Sequence, residues 1–281
     1  MTRRLGVALA LPATLFLVAT FVYPFLYGAF LSVTPRRGDA LSNYVAFFSD
    51  EFQRESIFNT FRLAVPAALV SVLLAVPLAY RLRRGARGER ILTTLLVIPV
   101  TLGPVFIADA MLFYFGPVGW FNRVLSVFGV VEPVRLVHTY GAVLLAIVLT
   151  AFPFAFLLLL GYVSGIDPAL EGAARMLGAG GWETFRRVLL PLMAPGIATA
   201  FALTFVISFG VFPSAVLVGE PGGSTRVLSI AAYQAAYERF DFSSGSAIAL
   251  VMGVLELAVI GLVFAVRGAL YAGPTARAGK G

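Results

Sequence analysis

The chain has 281 residues, of which 59% are hydrophobic and 12% are charged. Soluble domains carry about 25% charged residues, so this composition indicates a protein that lies in a lipid bilayer. The absence of cysteine and the single histidine, His138, exclude disulfides and thiolate chemistry and argue against a histidine-based metal site. The net charge of +7 does not point to nucleic acid, because the arginines lie in short gaps between apolar stretches.

Nucleotide hydrolysis by this chain is also not expected. A phosphate-binding loop needs a lysine followed by serine or threonine after a glycine-rich turn. Lys280 is the only lysine in the sequence, and Gly281 follows it. We therefore predict that the chain is not an ATPase, and we expect no cofactor in it.

Six apolar stretches are long enough to cross a bilayer, which takes roughly 20 residues of helix. Their unbroken apolar character, without alternation, favours helices over the strands of a barrel. The sequence therefore predicts an all-α polytopic membrane protein that forms one transmembrane domain over residues 1–281. The six predicted spans lie at about residues 5–31, 58–80, 91–115, 139–164, 192–218 and 246–266.

Basic residues predict the orientation of the spans, because lysine and arginine are enriched in cytoplasmic loops. With the N-terminus inside, the loop after the second span holds a cluster of five arginines, and the inner segments together hold 13 of the 21 basic residues. The cluster consists of Arg81, Arg83, Arg84, Arg87 and Arg90, and the other inner basic residues are Arg3, Arg4, Arg175, Arg186, Arg187, Arg267, Arg277 and Lys280. We therefore predict that both termini and the loop between the fourth and fifth spans are cytoplasmic.

The loop between the fourth and fifth spans, residues 165–191, is called the polar segment below. Asp167 precedes a proline and is a typical N-cap, since its side chain accepts a hydrogen bond from a free backbone N–H. Gly178 is typical of a helix end. A second short helix is predicted from Trp182 to Leu190, with Pro191 ending it. The pattern predicts two short helices joined at glycines.

The polar segment resembles the signature loop of permease subunits of ATP-binding-cassette importers. That loop reads Glu-Ala-Ala, three residues, Gly, nine residues, Ile, one residue, Leu-Pro. The positions that match here are Ala173, Ala174, Gly178, Val188 (in place of isoleucine), Leu190 and Pro191. The sequence departs from the pattern at the glutamate, whose position holds Gly172, while Glu171 comes one residue early.

The resemblance implies the type I importer fold and a transport subunit of the cell inner membrane rather than an enzyme. The two short helices would couple to a separate cassette ATPase dimer, which binds ATP and Mg²⁺. A second permease subunit, identical or homologous, and an extracytoplasmic binding protein would complete the transporter. The interface with the ATPase would include Glu171, Gly172, Ala173, Ala174, Arg175, Gly178 and Ala179.

Two acidic residues, Asp109 and Glu256, lie inside the apolar spans. A charge at the bilayer centre is costly, about 2.5–3.5 kcal/mol on insertion scales, so both should face protein or water. They either line a pathway that favours cations or form hydrogen bonds with neighbouring helices. Phe209 and Phe212 in the fifth span are likewise either pathway residues or packing residues.

The substrate is less determined than the class. Residues 166–197 look most like the spermidine/putrescine branch, which also includes ferric iron, phosphonate and opine importers. The acids in the spans favour a polyamine or another small cation, and a sugar is an alternative. A self-contained secondary transporter or channel is the alternative class, although it would not explain the spacing in the polar segment. A membrane enzyme is the least favoured reading, because the spans offer few titratable groups.

Overall fold

The computed structural model describes residues 11–83, 85, 88–129 and 134–270. Every regular element in these residues is helical, which confirms the predicted all-α fold. The start of the first predicted span, residues 5–10, lies outside the described residues. So do six basic residues used for the orientation, namely Arg3, Arg4, Arg84, Arg87, Arg277 and Lys280.

Eleven helices are labelled in chain order, and a π-helical turn is included where it continues a helix. They are α1 (Leu11–Ser32), α2 (Ser42–Ser49), α3 (Glu51–Leu82), α4 (Glu89–Phe115), α5 (Trp120–Val127), α6 (Tyr140–Ser164), α7 (Ala169–Met176), α8 (Gly181–Phe209), α9 (Pro213–Leu217), α10 (Leu228–Tyr233, continued by Gln234–Glu238) and α11 (Phe242–Leu270). Six of them, α1, α3, α4, α6, α8 and α11, are long and apolar enough to cross a membrane, as predicted.

The fifth span begins earlier than predicted, because α8 runs without interruption from Gly181 through Pro191. The prediction that Pro191 ends a separate helix is therefore wrong. A π-helical turn at Phe185–Leu189 precedes the proline, and Leu190 donates its N–H to the carbonyl of Phe185, five residues back. The wider turn takes up the distortion that a proline imposes on an α-helix.

Two breaks near glycine and proline shape the membrane helices. Within α4, Gly103 has φ 76° and ψ 169°, so the helix kinks just before Pro104. Only glycine adopts that backbone conformation without strain. At the other break α8 ends at Phe209, and α9 starts at Pro213.

Packing divides the chain into two compact units, and the larger comprises residues 58–227 and 255–281. At its centre α6 packs against α4 and α8. Small side chains let α3 approach this core closely, as is common for helices in membranes. One buried cluster joins the three helices α3, α6 and α8 and contains Val72, Ala75, Ala79, Leu82, Ala155, Phe156, Leu159, Leu160 and Ala200.

The smaller unit comprises residues 1–57 and 228–254, and its polar contacts centre on Ser243 at the start of α11. The Ser243 hydroxyl donates to the carbonyls of Leu31 and Thr34, each at 2.9 Å. The Asn43 amide donates to the Ser243 hydroxyl at 2.6 Å. These bonds join the end of α1, the helix α2 and the start of α11. The prediction of one transmembrane domain over the whole chain stays a prediction.

Candidate coupling site and membrane acids

The polar segment begins with the short helix α7. Asp167 accepts a hydrogen bond from the backbone N–H of Ala169 at 2.8 Å, but it lies one residue before the N-cap of α7, which is Pro168. At the other end Gly178 has φ 85°, and its N–H bonds to the carbonyl of Arg175 at 2.9 Å. Ala179 bonds to the carbonyl of Ala174 at 3.1 Å, which completes a Schellman motif. The predicted end of α7 at Gly178 is confirmed, whereas the start differs by one residue, because Pro168 and not Asp167 is the N-cap.

Inside the polar segment, Glu171 points inward. Its side chain is 4% exposed, and its carboxylate pairs with the guanidinium of Arg83, which is 9% exposed and directly follows α3. Arg175, one turn further along α7, lies 4.0 Å from the other carboxylate oxygen of Glu171. Removing one partner of a buried pair leaves an uncompensated charge, so the Arg83–Glu171 pair ties α7 to the end of α3.

Tyr80 extends this contact to the second half of the polar segment. The guanidinium of Arg83 lies 3.8 Å from the centre of the Tyr80 ring and also donates to the Tyr80 carbonyl at 2.6 Å. The centre of the Tyr80 ring also lies 4.9 Å from that of the Phe185 ring in the π turn of α8. The end of α3 therefore contacts α7 through Arg83 and α8 through Tyr80.

The outer face of the polar segment is apolar where a soluble surface would be polar. Met176 is 90% exposed and Leu177 is 89% exposed, and Trp182 beyond the turn is 71% exposed. Arg175 beside them is also exposed. Nothing within the described part of the chain covers this tip, so it has the character of a docking surface.

The structure brings all the predicted interface residues onto α7 and the turn after it, but not all face outward. Gly172, Ala173, Arg175 and Gly178 are exposed. Three others are less exposed, namely Glu171, Ala174 and Ala179. A Cβ atom added at Gly172 would meet no atom within 4 Å, so the position that carries glutamate in the family motif opens to solvent here.

The sequence motif of the polar segment does not include Met176 and Leu177, and it does not reveal the partner of Glu171. Two apolar residues at the end of a polar helix were a usable signal for a docking tip. Arg83 carried no such signal, because it was one of several clustered arginines that were interpreted only as markers of orientation. Its pairing with Glu171, 88 positions away, depends on the tertiary structure.

Of the two phenylalanines predicted as pathway or packing residues, Phe209 packs against other aromatic rings. Phe209 is fully buried, with its ring 5.2 Å from Phe61 and 5.1 Å from Phe205. This environment favours the packing alternative for Phe209. Phe212 is half-buried in the break between α8 and α9.

The two membrane acids occupy different helices and different environments. Asp109 on α4 is exposed on this chain, whereas Glu256 on α11 is half-buried. Among the described residues, neither carboxylate has a hydrogen-bond or ion-pair partner. A charged carboxylate in contact with lipid is unfavourable, so Asp109 requires water or another protein surface beside α4.

A comparison with known protein families assigns the chain to one of them. Residues 54–271 match the model of the family described as binding-protein-dependent transport system inner membrane component. The match covers more than half of the chain and includes the polar segment, α4, α6, α8 and Asp109. The chain therefore belongs to this family of membrane transport permeases.

Curated relatives transport chemically different substrates. The probable sulfate transport system permease protein cysT of Chlorella vulgaris is 30% identical over 206 residues, covering 73% of this chain and 76% of the relative. The trehalose transport system permease protein SugA of Mycobacterium tuberculosis is 26% identical over 271 residues, 93% of this chain and 88% of the relative. The spermidine/putrescine transport system permease protein PotB of Escherichia coli is 29% identical over 181 residues, 64% of this chain and 66% of the relative.

A solved structure shares the fold. A chain of a bacterial ABC transporter involved in the import of the acidic polysaccharide alginate superposes with a TM-score of 0.81 at 20% identity. The match covers 93% of this chain and 94% of the other. The three curated relatives and this structure do not single out a polyamine, so the finer resemblance to the spermidine/putrescine branch gains no specific support.

Proposed function

We propose that the chain is one permease subunit of an ATP-driven importer and that its polar segment docks on a separate cassette ATPase. The observation that carries this proposal is the apolar tip formed by Met176 and Leu177, which is almost fully exposed on a segment between two membrane helices. Exposed apolar patches of this kind mark surfaces that contact other proteins. The family membership supports the same assignment.

The mechanism follows from how the polar segment is connected. ATP and Mg²⁺ would bind the ATPase, and closure of the ATPase dimer would move the docked segment. Because α8 begins inside the polar segment and continues across the membrane, any movement at Gly181 reaches Phe209 along one helix. The permease would thus change between inward-facing and outward-facing states by rigid-body motion.

The orientation and the remaining partners are part of the proposal. The basic residues around the polar segment, Arg175, Arg186 and Arg187, favour a cytoplasmic position for it and for both termini. A second permease subunit would cover the apolar surface that α4 exposes. An extracytoplasmic binding protein would deliver the substrate, in agreement with the family description.

For the substrate we propose a small cation, such as a polyamine, on the basis of Asp109. Its carboxylate is exposed and has no partner in the described residues, which suits contact with a cation in a water-filled pathway. A sugar is the second candidate, because the trehalose relative aligns along 93% of the chain. Uptake of spermidine and of trehalose into vesicles that contain the complete importer separates the two candidates.

The docking proposal is tested by charge at the tip. Met176→Glu should abolish retention of the ATPase on the detergent-solubilised chain, because a carboxylate would be buried in an apolar groove. Met176→Leu conserves the apolar surface and should retain it. Val127→Glu adds the same charge at another residue that is 84% exposed, and it should also retain the ATPase. Normal retention by Met176→Glu would contradict the proposal and would favour a self-contained transporter or channel.

A further inference from the structure

Glu171 of the polar segment makes a contact inside the chain and does not lie on the outer face of α7. Glu171 is 3% exposed as a residue, and Arg83 neutralises it. The neighbouring position 172, which faces open space, holds glycine. In the proposed docking, the ATPase would therefore contact the exposed residues Arg175, Met176 and Leu177. Glu171 instead binds Arg83 within the chain.

The geometry of that internal contact relates three helices. Arg83 holds α7 through Glu171, and the Tyr80 ring contacts both the Arg83 guanidinium and the Phe185 ring of α8. Because α8 is continuous with the polar segment, it needs no such contact to follow the movement of the segment. Helix α3 is joined to the segment only through tertiary contacts, since the 81 residues between Arg83 and Gly165 include the two spans α4 and α6.

We propose that Arg83 and Glu171 are positioning residues that make α3 move together with the polar segment when the ATPase closes. This inference rests on the proposed function, but the contact between Arg83 and Glu171 lies within the chain and needs no partner protein. A buried ion pair suits the task, since it is directional and breaking it leaves a charge without compensation. The Tyr80 ring limits the positions that the guanidinium can take, because cation–π contacts favour a cation over the ring face.

The first arm of the test measures the contact without the ATPase. The chain has no cysteine, so two cysteines introduced at the exposed positions Arg81 and Ala173 take spin labels at known sites. The distance distribution between α3 and α7 should be narrow in the parent and should broaden in Arg83→Gln and Glu171→Gln. The matched control is Arg187→Gln, which breaks the exposed pair with Glu183 at 2.9 Å and should leave the distribution unchanged.

The second arm measures transport in vesicles with the assembled importer and no labels. Arg83→Gln and Glu171→Gln should each lower substrate transported per ATP hydrolysed by about tenfold, because contacting buried charges are strongly coupled. ATPase retention should not change. The double variant should lose no more than either single variant, and the exchange Arg83→Glu with Glu171→Arg should restore part of the coupling.

The outcomes separate this inference from the proposed function. A narrow distribution in the single variants, or unchanged transport per ATP in a chain with a normal melting temperature, overturns the positioning role. If the parent chain fails to retain an ATPase, the proposed function fails instead, and the label distances alone decide whether Arg83 and Glu171 hold α7. If a single variant does not fold, the double variant, which leaves no unpaired charge, takes its place in both arms.

Discussion

The polar segment and the span α4 both place residues in unusual surroundings, but the two regions differ in which residues are exposed. In the polar segment the acid Glu171 is buried, and the apolar residues Met176 and Leu177 are exposed. In α4, a span rich in apolar residues, the acid Asp109 is exposed. Each arrangement is unfavourable for an isolated chain in its own medium, water for one and lipid for the other. The difference indicates two surfaces that other molecules complete, by apolar contact at the segment and by water or polar contact at α4.

The largest expected effect is at the turn that presents the apolar tip. Gly178→Glu should abolish transport, because residue 178 has φ 85° and a side chain there costs about 1–2 kcal/mol of backbone strain in addition to the new charge. Gly180→Ala is the matched control, since its φ is −68° and nothing lies within 4 Å of an added Cβ. ATP-dependent uptake and membrane insertion should be measured together. Normal uptake with Gly178→Glu would remove the docking role of this turn.

The next effect concerns the acid in α4. Asp109→Asn should lower uptake of a cationic substrate by about tenfold or more, since a hydrogen bond to a charged group contributes about 1.5–3 kcal/mol. Uptake rates of spermidine, with subunit assembly followed by size-exclusion chromatography, check this. If uptake persists and only assembly weakens, Asp109 is a structural residue at the contact with the second permease.

A smaller effect is expected at the kink of α4. Gly103→Ala should reduce the stability of the chain by about 1–2 kcal/mol, because alanine at φ 76° is strained although the space around it is open. Thermal unfolding in detergent measures the change. Gly172→Ala serves as the control, because alanine is favoured over glycine in a helix and should be neutral or stabilising. Equal melting temperatures for the parent and Gly103→Ala would show that the kink relaxes at no cost.

The smallest effect tests whether the missing motif glutamate matters. Gly172→Glu fits without contact and places an acid in the first turn of α7, which the helix dipole favours by about 0.3–1 kcal/mol. The amount of substrate transported per ATP should therefore change by no more than about twofold, because an exposed charge contributes little and the tip proposed to dock on the ATPase is mainly apolar. Transport per ATP hydrolysed is the measurement. A large gain would mean that the partner groove still offers a cation to position 172.

Much of the fold was predictable from hydrophobic length and local helix signals. The six spans follow from stretches of about 20 apolar residues, which leave a helix as the way to satisfy the backbone in lipid. The end of α7 follows from Gly178, whose effect on the backbone is local. The continuation of α8 through Pro191 was not predictable, because a preceding π turn decides whether a helix tolerates the proline.

The sequence by itself determined the class of the protein, since the spacing of small residues in the polar segment and the six apolar stretches are properties of neighbouring residues. Tertiary structure decided the roles within that class. Glu171 and Arg83 pair across a long separation, and Phe209 is enclosed by aromatic rings from two helices. Burial and pairing depend on which helices pack against each other, and a local pattern of residues does not show which helices do so.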